Sequence, residues 1–340
     1  MHHMQRRKNR SDHWTTETLE SGVCRVTFAS RLWVLISSDW HWDSVKCDRD
    51  RLAADLAEAK RLNAAVLSLG DGFDAMGGKL DPRSNGKHDV RPELQSGNYF
   101  DEIVSQCGQW LDPYREQMAL VSPGNHESAV RKRQETCLTT RLVERLRVAG
   151  SPVRQGGYAG WVLFRAQRGK QTALHRLWYH HGFGGGGGTT RGAGQFAQYL
   201  AEVDADTIVA GHVHQRTFIE AHRQRITSSG LCRTRPVHLV RSSTYKRESV
   251  TDGWAVEKGI GARPLGGWWL LLRWNSDATE LNASFHDRPY EVPDDADSDS
   301  DGNSQPRPVR SKPASRKRRP AKGSGTKKRA TRNRSAAARR

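Results

Sequence analysis

The chain has 340 residues, 35% of them hydrophobic, five cysteines and a formal charge of +18. That much apolar material supports a sizeable core and excludes disorder throughout, while five single cysteines without a CxxC pair indicate neither a disulfide framework nor a thiolate zinc site and point to a reducing, cytoplasmic setting. The polar start from Met1 to Lys8 lacks the apolar core of a signal peptide, and the run Trp268 to Leu272 is too short to span a bilayer, so no membrane association is expected.

Residues 1–29 are polar without sustained periodicity and read as a flexible arm; residues 30–290 read as the folded domain. Leu32 to Ser37 reads as a strand, Cys47 to Leu62 as a helix with apolar positions at helical spacing, and Ala65 to Leu69 as a second strand. Gly72 to Gly97 is an irregular insertion. A helix over Tyr99 to Leu111, a strand over Met118 to Val121 and one long basic helix over Ala129 to Val148 complete an alternation that predicts an α/β architecture. The second half is richer in strands: Tyr158 to Arg165, Leu174 to Tyr179, Thr207 to Ala210, Phe218 to Ala221, Val237 to Arg241, Trp268 to Trp274 and Leu281 to Phe285, with a helix over Gln195 to Val203.

Residues 291–340 run from acidic to basic and read as a disordered tail, because this composition buries too little apolar surface to offset chain entropy. Gly302 to Arg340 holds fifteen Lys or Arg and no acid, so the chain without it carries only +3, and residues 1–290 alone carry about +9. A nucleic-acid partner is therefore argued mainly from tail residues Arg316, Lys317, Arg318, Arg319, Lys327, Lys328 and Arg329, where counterion release favours phosphate backbones without sequence preference. The other reading is a solubilising tail.

Five polar clusters each follow a predicted strand, where ligands gather in open α/β sheets. Asp39 and His41 are two apart and can grip one ion. In Gly70-Asp71-Gly72-Phe73-Asp74 the first carboxylate can bridge two cations while the second orients a neighbour. Gly124-Asn125-His126-Glu127 supplies an amide oxygen, an imidazole and a carboxylate, and it also suits a helix start with Asn125 as the cap and Glu127 in the first turn. His180-His181 ends a strand, and His212 and His214 share a face of extended chain.

In order and spelling these clusters resemble the calcineurin-like metallophosphoesterase family, whose signature reads DxH, GDxxD, GNH(E/D), a lone His and GHxH. The resemblance covers roughly residues 30–290 and implies a four-layer αββα sandwich. It implies that Asp39, His41 and His214 bind one metal, that Asp71 bridges, and that Asn125, His181 and His212 complete the second; His181 is chosen over His180 because the family's lone ligand often precedes a glycine or turn. It further implies that His126 serves as the acid for the leaving group, with the Asp74 carboxylate holding its ring, and that Asp43, Glu127 and His180 support the ligands from behind. The cofactors implied are two divalent ions, manganese first, with iron, zinc or nickel as alternatives.

Asp74 is followed by Ala75-Met76 where the family's protein phosphatases carry Arg-Gly, so that branch is disfavoured. GNHE with GHVH matches the phosphodiesterase and nuclease branch, and a phosphoester partner such as DNA or RNA is expected. A phosphomonoesterase, a phosphodiesterase of cyclic or small nucleotides, and a non-catalytic nucleic-acid-binding protein are the alternatives. Gly184 to Gly188 lacks the Lys-Ser/Thr of a P-loop and reads as a connector at the site's edge. Trp40 and Trp42 read as walls of the metal pocket in preference to base-stacking platforms, and His88, His175, His222, His238 and His286 as surface or core residues.

Overall fold

Alternation of side chains along the strands decides how the layers stack. In a computed structural model of the chain, which describes residues 13–77, 89–95, 97–184, 193–247, 263–275 and 279–292, the strands are β1 (Trp14–Glu20), β2 (Val23–Phe28), β3 (Arg31–Ser37), β4 (Ala65–Leu69), β5 (Met118–Ser122), β6 (Arg154–Gln155), β7 (Ala159–Arg168), β8 (Gln171–His180), β9 (Thr207–Ala210), β10 (Thr217–Ile226), β11 (Cys232–Arg241), β12 (Trp268–Trp274) and β13 (Leu281–His286). The helices are α1 (Arg49–Leu62), α2 (Tyr99–Leu111), α3 (Asn125–Gln134), α4 (Leu138–Val148) and α5 (Ala193–Glu202). One sheet runs β13-β12-β3-β4-β5-β6 and the other β1-β2-β7-β8-β9-β11-β10.

Leu32, Val34 and Ile36 of β3 face the second sheet and pack with Val26, Phe164, Leu177 and Val240, whereas Trp33 and Leu35 face outward onto Leu52 and Leu56 of α1 and Ile103 of α2. On β9, Val209 joins the core between the sheets while Ile208 and Ala210 meet Phe196 and Tyr199 of α5. Period-two burial on both sides of both sheets thus yields the expected αββα sandwich. Helix α1 begins where Asp48 accepts the Arg51 backbone N–H at 3.1 Å and ends at Asn63 in the left-handed region, φ 50°.

Three expectations are corrected. Half of the arm assigned to residues 1–29 is sheet: β1 pairs antiparallel with β2, and β2 pairs parallel with β7, burying Trp14, Val26 and Phe28. The alternation is real in β2 but spans only six residues, and β1 buries just Trp14 and Thr16, so neither run is long enough to stand out in the sequence. The single helix over 129–148 is two, broken at Glu135 with φ 54°; between the buried Val130 and Leu138 the chain offers no aliphatic side chain to keep one helix on the sheet. At the tail boundary, Glu291 still pairs with Arg61 at 2.9 Å and the Val292 carbonyl accepts from Arg31 at 2.9 Å. Residues 293–340, with the basic positions above, lie outside the described residues.

His175 on β8 is 4% exposed, with Nε2 2.9 Å from Thr207 Oγ1. Burial pushes its imidazole down to about 4, with Asp206 countering in part. An unfolded chain takes up this proton near 6.5 while the fold refuses it until about 4, so the stability His175 contributes is complete above 6.5 and is lost as pH falls through that window. We expect His175→Gln to flatten the pH dependence of urea stability across this window by about 3 kcal/mol. An identical slope in wild type and variant would contradict it.

Candidate metal centre

All five sequence clusters come to one rim. β3, β4 and β5 of one sheet and β8 and β9 of the other end there, and the loops are tied across it: the Asp39 N–H donates to the Gly70 carbonyl (2.9 Å), the Gly211 N–H to the His181 carbonyl (2.8 Å) and the Tyr245 N–H to the Asp39 carbonyl (3.0 Å). The backbone turns sharply to aim the side chains inward. Among the described residues, eight other than glycine have left-handed φ, and five of them are Asp39, His41, Asp71, His212 and His214. Each costs about 1 kcal/mol or more, a strain that persists only where the surroundings over-determine it. Close approach also explains the glycine before the third cluster, since a Cβ on Gly124 would overlap the Asp71 carboxylate.

The ligands form two groups. Asp39 Oδ1 lies 3.2 Å from His214 Nε2, which is 3.3 Å from His41 Nε2. Asp39 Oδ1 is buried and receives no hydrogen-bond donor, and His41 Nδ1 faces Asp74 Oδ1 at 2.8 Å, a contact that leaves Nε2 carrying the lone pair. In the second group His181 Nε2 is 3.1 Å from both Asp71 Oδ2 and Asn125 Oδ1, and His212 Nδ1 is 2.7 Å from Asn125 Oδ1. His181 Nδ1 is 3.1 Å from the Leu69 carbonyl, so its lone pair also points inward. Groups of lone pairs facing one another without intervening donors fit divalent cations. Asp71 reaches both sides: donor atoms of Asp71, His181 and His212 lie within 4.8 Å of one another, and so do those of His41, Asp71 and His126.

The carboxylates and imidazoles of the centre shift one another. Burial would raise the Asp39 carboxyl, but His214 and His181 hold it at about 2, and Asp71 is likewise held well below the usual range, against burial, by His181 and His126. Burial pulls His181 down, yet Asp71 raises it to about 9. Without cations this imidazole takes a proton in their place.

The role expected of Asp74 is corrected. Its carboxylate does not hold His126, whose Nδ1 is 3.9 Å from Asp74 Oδ1 and instead donates to the Asp74 main-chain carbonyl at 2.5 Å. The carboxylate serves His41 and accepts from Lys246 Nζ at 2.7 Å. Burial opposes its charge, but Lys246 and His41 hold Asp74 far below the carboxylate range. Lys246, 6% exposed, escaped the sequence reading, although it lies in the polar run that begins at Ser242 just after a predicted strand, the same signal that marked the other clusters.

Behind the ligands, Asp43 accepts the Asp74 N–H (2.6 Å), the Ala75 N–H (3.0 Å) and the Tyr99 hydroxyl. Glu127 accepts the N–H groups of Phe73 (2.9 Å) and Gly124 (2.8 Å), tying two ligand loops together; burial and Asp71 push its carboxyl up to about 7. His180 turns away from the ligand groups, its Nδ1 accepting the Gly182 N–H at 2.8 Å and its ring lying among Tyr158, Trp178 and Tyr199. Trp40 and Trp42 are 2% and 1% exposed, core walls with no face open to a base. His175 and His238 are buried and His222 exposed; His88 and Gly185 to Gly188 lie outside the described residues.

A four-layer sandwich with acidic and imidazole ligands converging on one rim defines a metal-dependent hydrolase. The chain matches the family model of calcineurin-like phosphoesterases over residues 32–216 and belongs to that family, whose members use a dinuclear divalent metal centre. Among solved structures it is similar to GAP50, the anchor in the inner membrane complex of Plasmodium, at 11% identity and TM-score 0.35, covering 75% of this chain and 84% of that one. It is also similar to a conserved uncharacterized protein from Streptococcus pneumoniae, a predicted phosphoesterase, at 9% identity and TM-score 0.24, covering 76% and 99%. A search of curated proteins finds no match. Among the described residues no helix is long and apolar enough to cross a membrane.

Proposed function

We propose that the chain hydrolyses phosphodiester bonds, with nucleic acid as substrate and manganese as the working metal, in a cytoplasmic setting. The observation that supports catalysis most directly is the shared position of Asp71 between the two ligand groups. Asp39, His41 and His214 would hold one ion, Asn125, His181 and His212 the other, and Asp71 both. When bound, such a pair neutralises a phosphate and makes hydroxide available near neutral pH. Oxygen and nitrogen donors without thiolate suit manganese as they suit iron, zinc or nickel, and the compartment rests on five unpaired cysteines.

His126 does the remaining proton work. The Asp74 carbonyl holds the Nδ1–H in place, so Nε2, 3.7 Å from Asp71 Oδ2, is the atom that faces the centre; with the ring doubly protonated, the Nε2 proton passes to the departing oxygen and the neutral imidazole remains. Its backbone N–H meanwhile holds Asp71 Oδ1 at 3.0 Å. With 12% of its side chain exposed it can exchange that proton with solvent. His126→Ala should lower kcat on bis-p-nitrophenyl phosphate about 10²- to 10⁴-fold while metal content stays at the wild-type level. Turnover equal to wild type would remove His126 from the mechanism, and no cleavage by manganese-loaded wild type would sink the proposal.

A further inference from the structure

Asn125 opens α3, and helical spacing carries the same side of the helix through Ser128 and Ala129 to Lys132 and Arg133. Along that side lies a cavity of about 430 Å³, bounded by these five residues and, across it, by Tyr158. Tyr158 is fixed as a wall: its hydroxyl donates to the Gly182 carbonyl at 2.8 Å and its ring meets that of His181 edge-on at 5.4 Å. The cavity therefore starts at a metal ligand and ends on two exposed cations, with no acid among the described residues that line it.

The helix dipole accounts for basic residues in a last turn, and Arg131 in that turn meets it without lining the cavity. It does not account for the open space between Asn125 and the two that do. At 1.5 Å per residue, Lys132 and Arg133 stand roughly 10 to 12 Å along the axis from Asn125, so a lone phosphate ester at the metals stops short of them. A nucleic-acid strand carries a phosphate about every 3.4 Å of rise and covers the distance within a few nucleotides. A space of this size takes a ligand portion of drug-like dimensions, room for part of one strand.

We propose that this cavity is a subsite for a further phosphate of the substrate, held by Lys132 and Arg133, and that the chain therefore acts on single-stranded polynucleotide. The proposal rests on the hydrolase reading given above. Its test compares full-length, manganese-loaded wild type with Lys132→Ala/Arg133→Ala, measuring kcat/KM for a single-stranded oligonucleotide and for bis-p-nitrophenyl phosphate across a salt series. The ratio of the two should fall about tenfold or more through KM, and the slope of log(1/KM) for the oligonucleotide against log salt should shrink by about 0.7, the loss of one phosphate contact on a single strand. Lys132→Arg/Arg133→Lys should keep the wild-type ratio. A ratio and slope unmoved by the double alanine variant, with the small ester still cleaved, overturn the subsite. Cleavage of neither ester by wild type overturns the hydrolase reading beneath it.

Discussion

Asp71→Asn is expected to bring the metal content of dialysed protein from two ions per chain to one at most, and to cut turnover of bis-p-nitrophenyl phosphate by about 10³ or more, the order of a lost group that stabilises developing charge. The substitution keeps the volume and leaves an oxygen to accept the His126 N–H, now at 3.0 Å, but removes the charge that faces His41 on one side and His181 on the other. A second readout is independent of turnover. In the metal-free protein burial pulls the His181 imidazole down and Asp71 lifts it to about 9, so in the variant the proton should leave at lower pH, measurable by NMR titration. Retention of two ions by Asp71→Asn would show that the carboxylate is not shared.

Lys246→Met should be the most destabilising change among the residues that touch neither ion. The ammonium and the Asp74 carboxylate are 7% and 4% exposed at their side chains and 2.7 Å apart. Removing one partner strands a buried charge, at a cost of about 3–5 kcal/mol in urea denaturation. Lys246→Met with Asp74→Asn should recover more than half of that, since the stranded charge goes with it. Metal affinity of the single variant should fall roughly ten- to a hundredfold, because Asp74 also steadies His41, 2.8 Å away. A single variant within about 1 kcal/mol of wild type would mean that water reaches the pair.

How much was legible beforehand differs by kind of residue. Asp39, His41, Asp71, Asn125, His212 and His214 stand in short spellings right after strands, and several such spellings in one order carry more than any of them alone. The choice of His181 over His180 follows in the fold from strand parity: His180 shares its face of β8 with Trp178, and His181, one residue later, turns across to Asp71. The partner of His126 was misread because main-chain carbonyls have no letter in a sequence. Lys246 was missed because its importance lies entirely in a carboxylate 172 residues away.

The sequence by itself determined the α/β class, the strands that carry the ligands and the chemistry of the donor set, since burial alternation and residue type are local properties. Tertiary structure alone decided that Trp14 to Phe28 close a sheet edge, that Asp74 serves His41 and Lys246, and that a cavity runs from Asn125 to Lys132 and Arg133. Those depend on distances between remote segments, and such distances exist only once the two sheets have packed through a shared core.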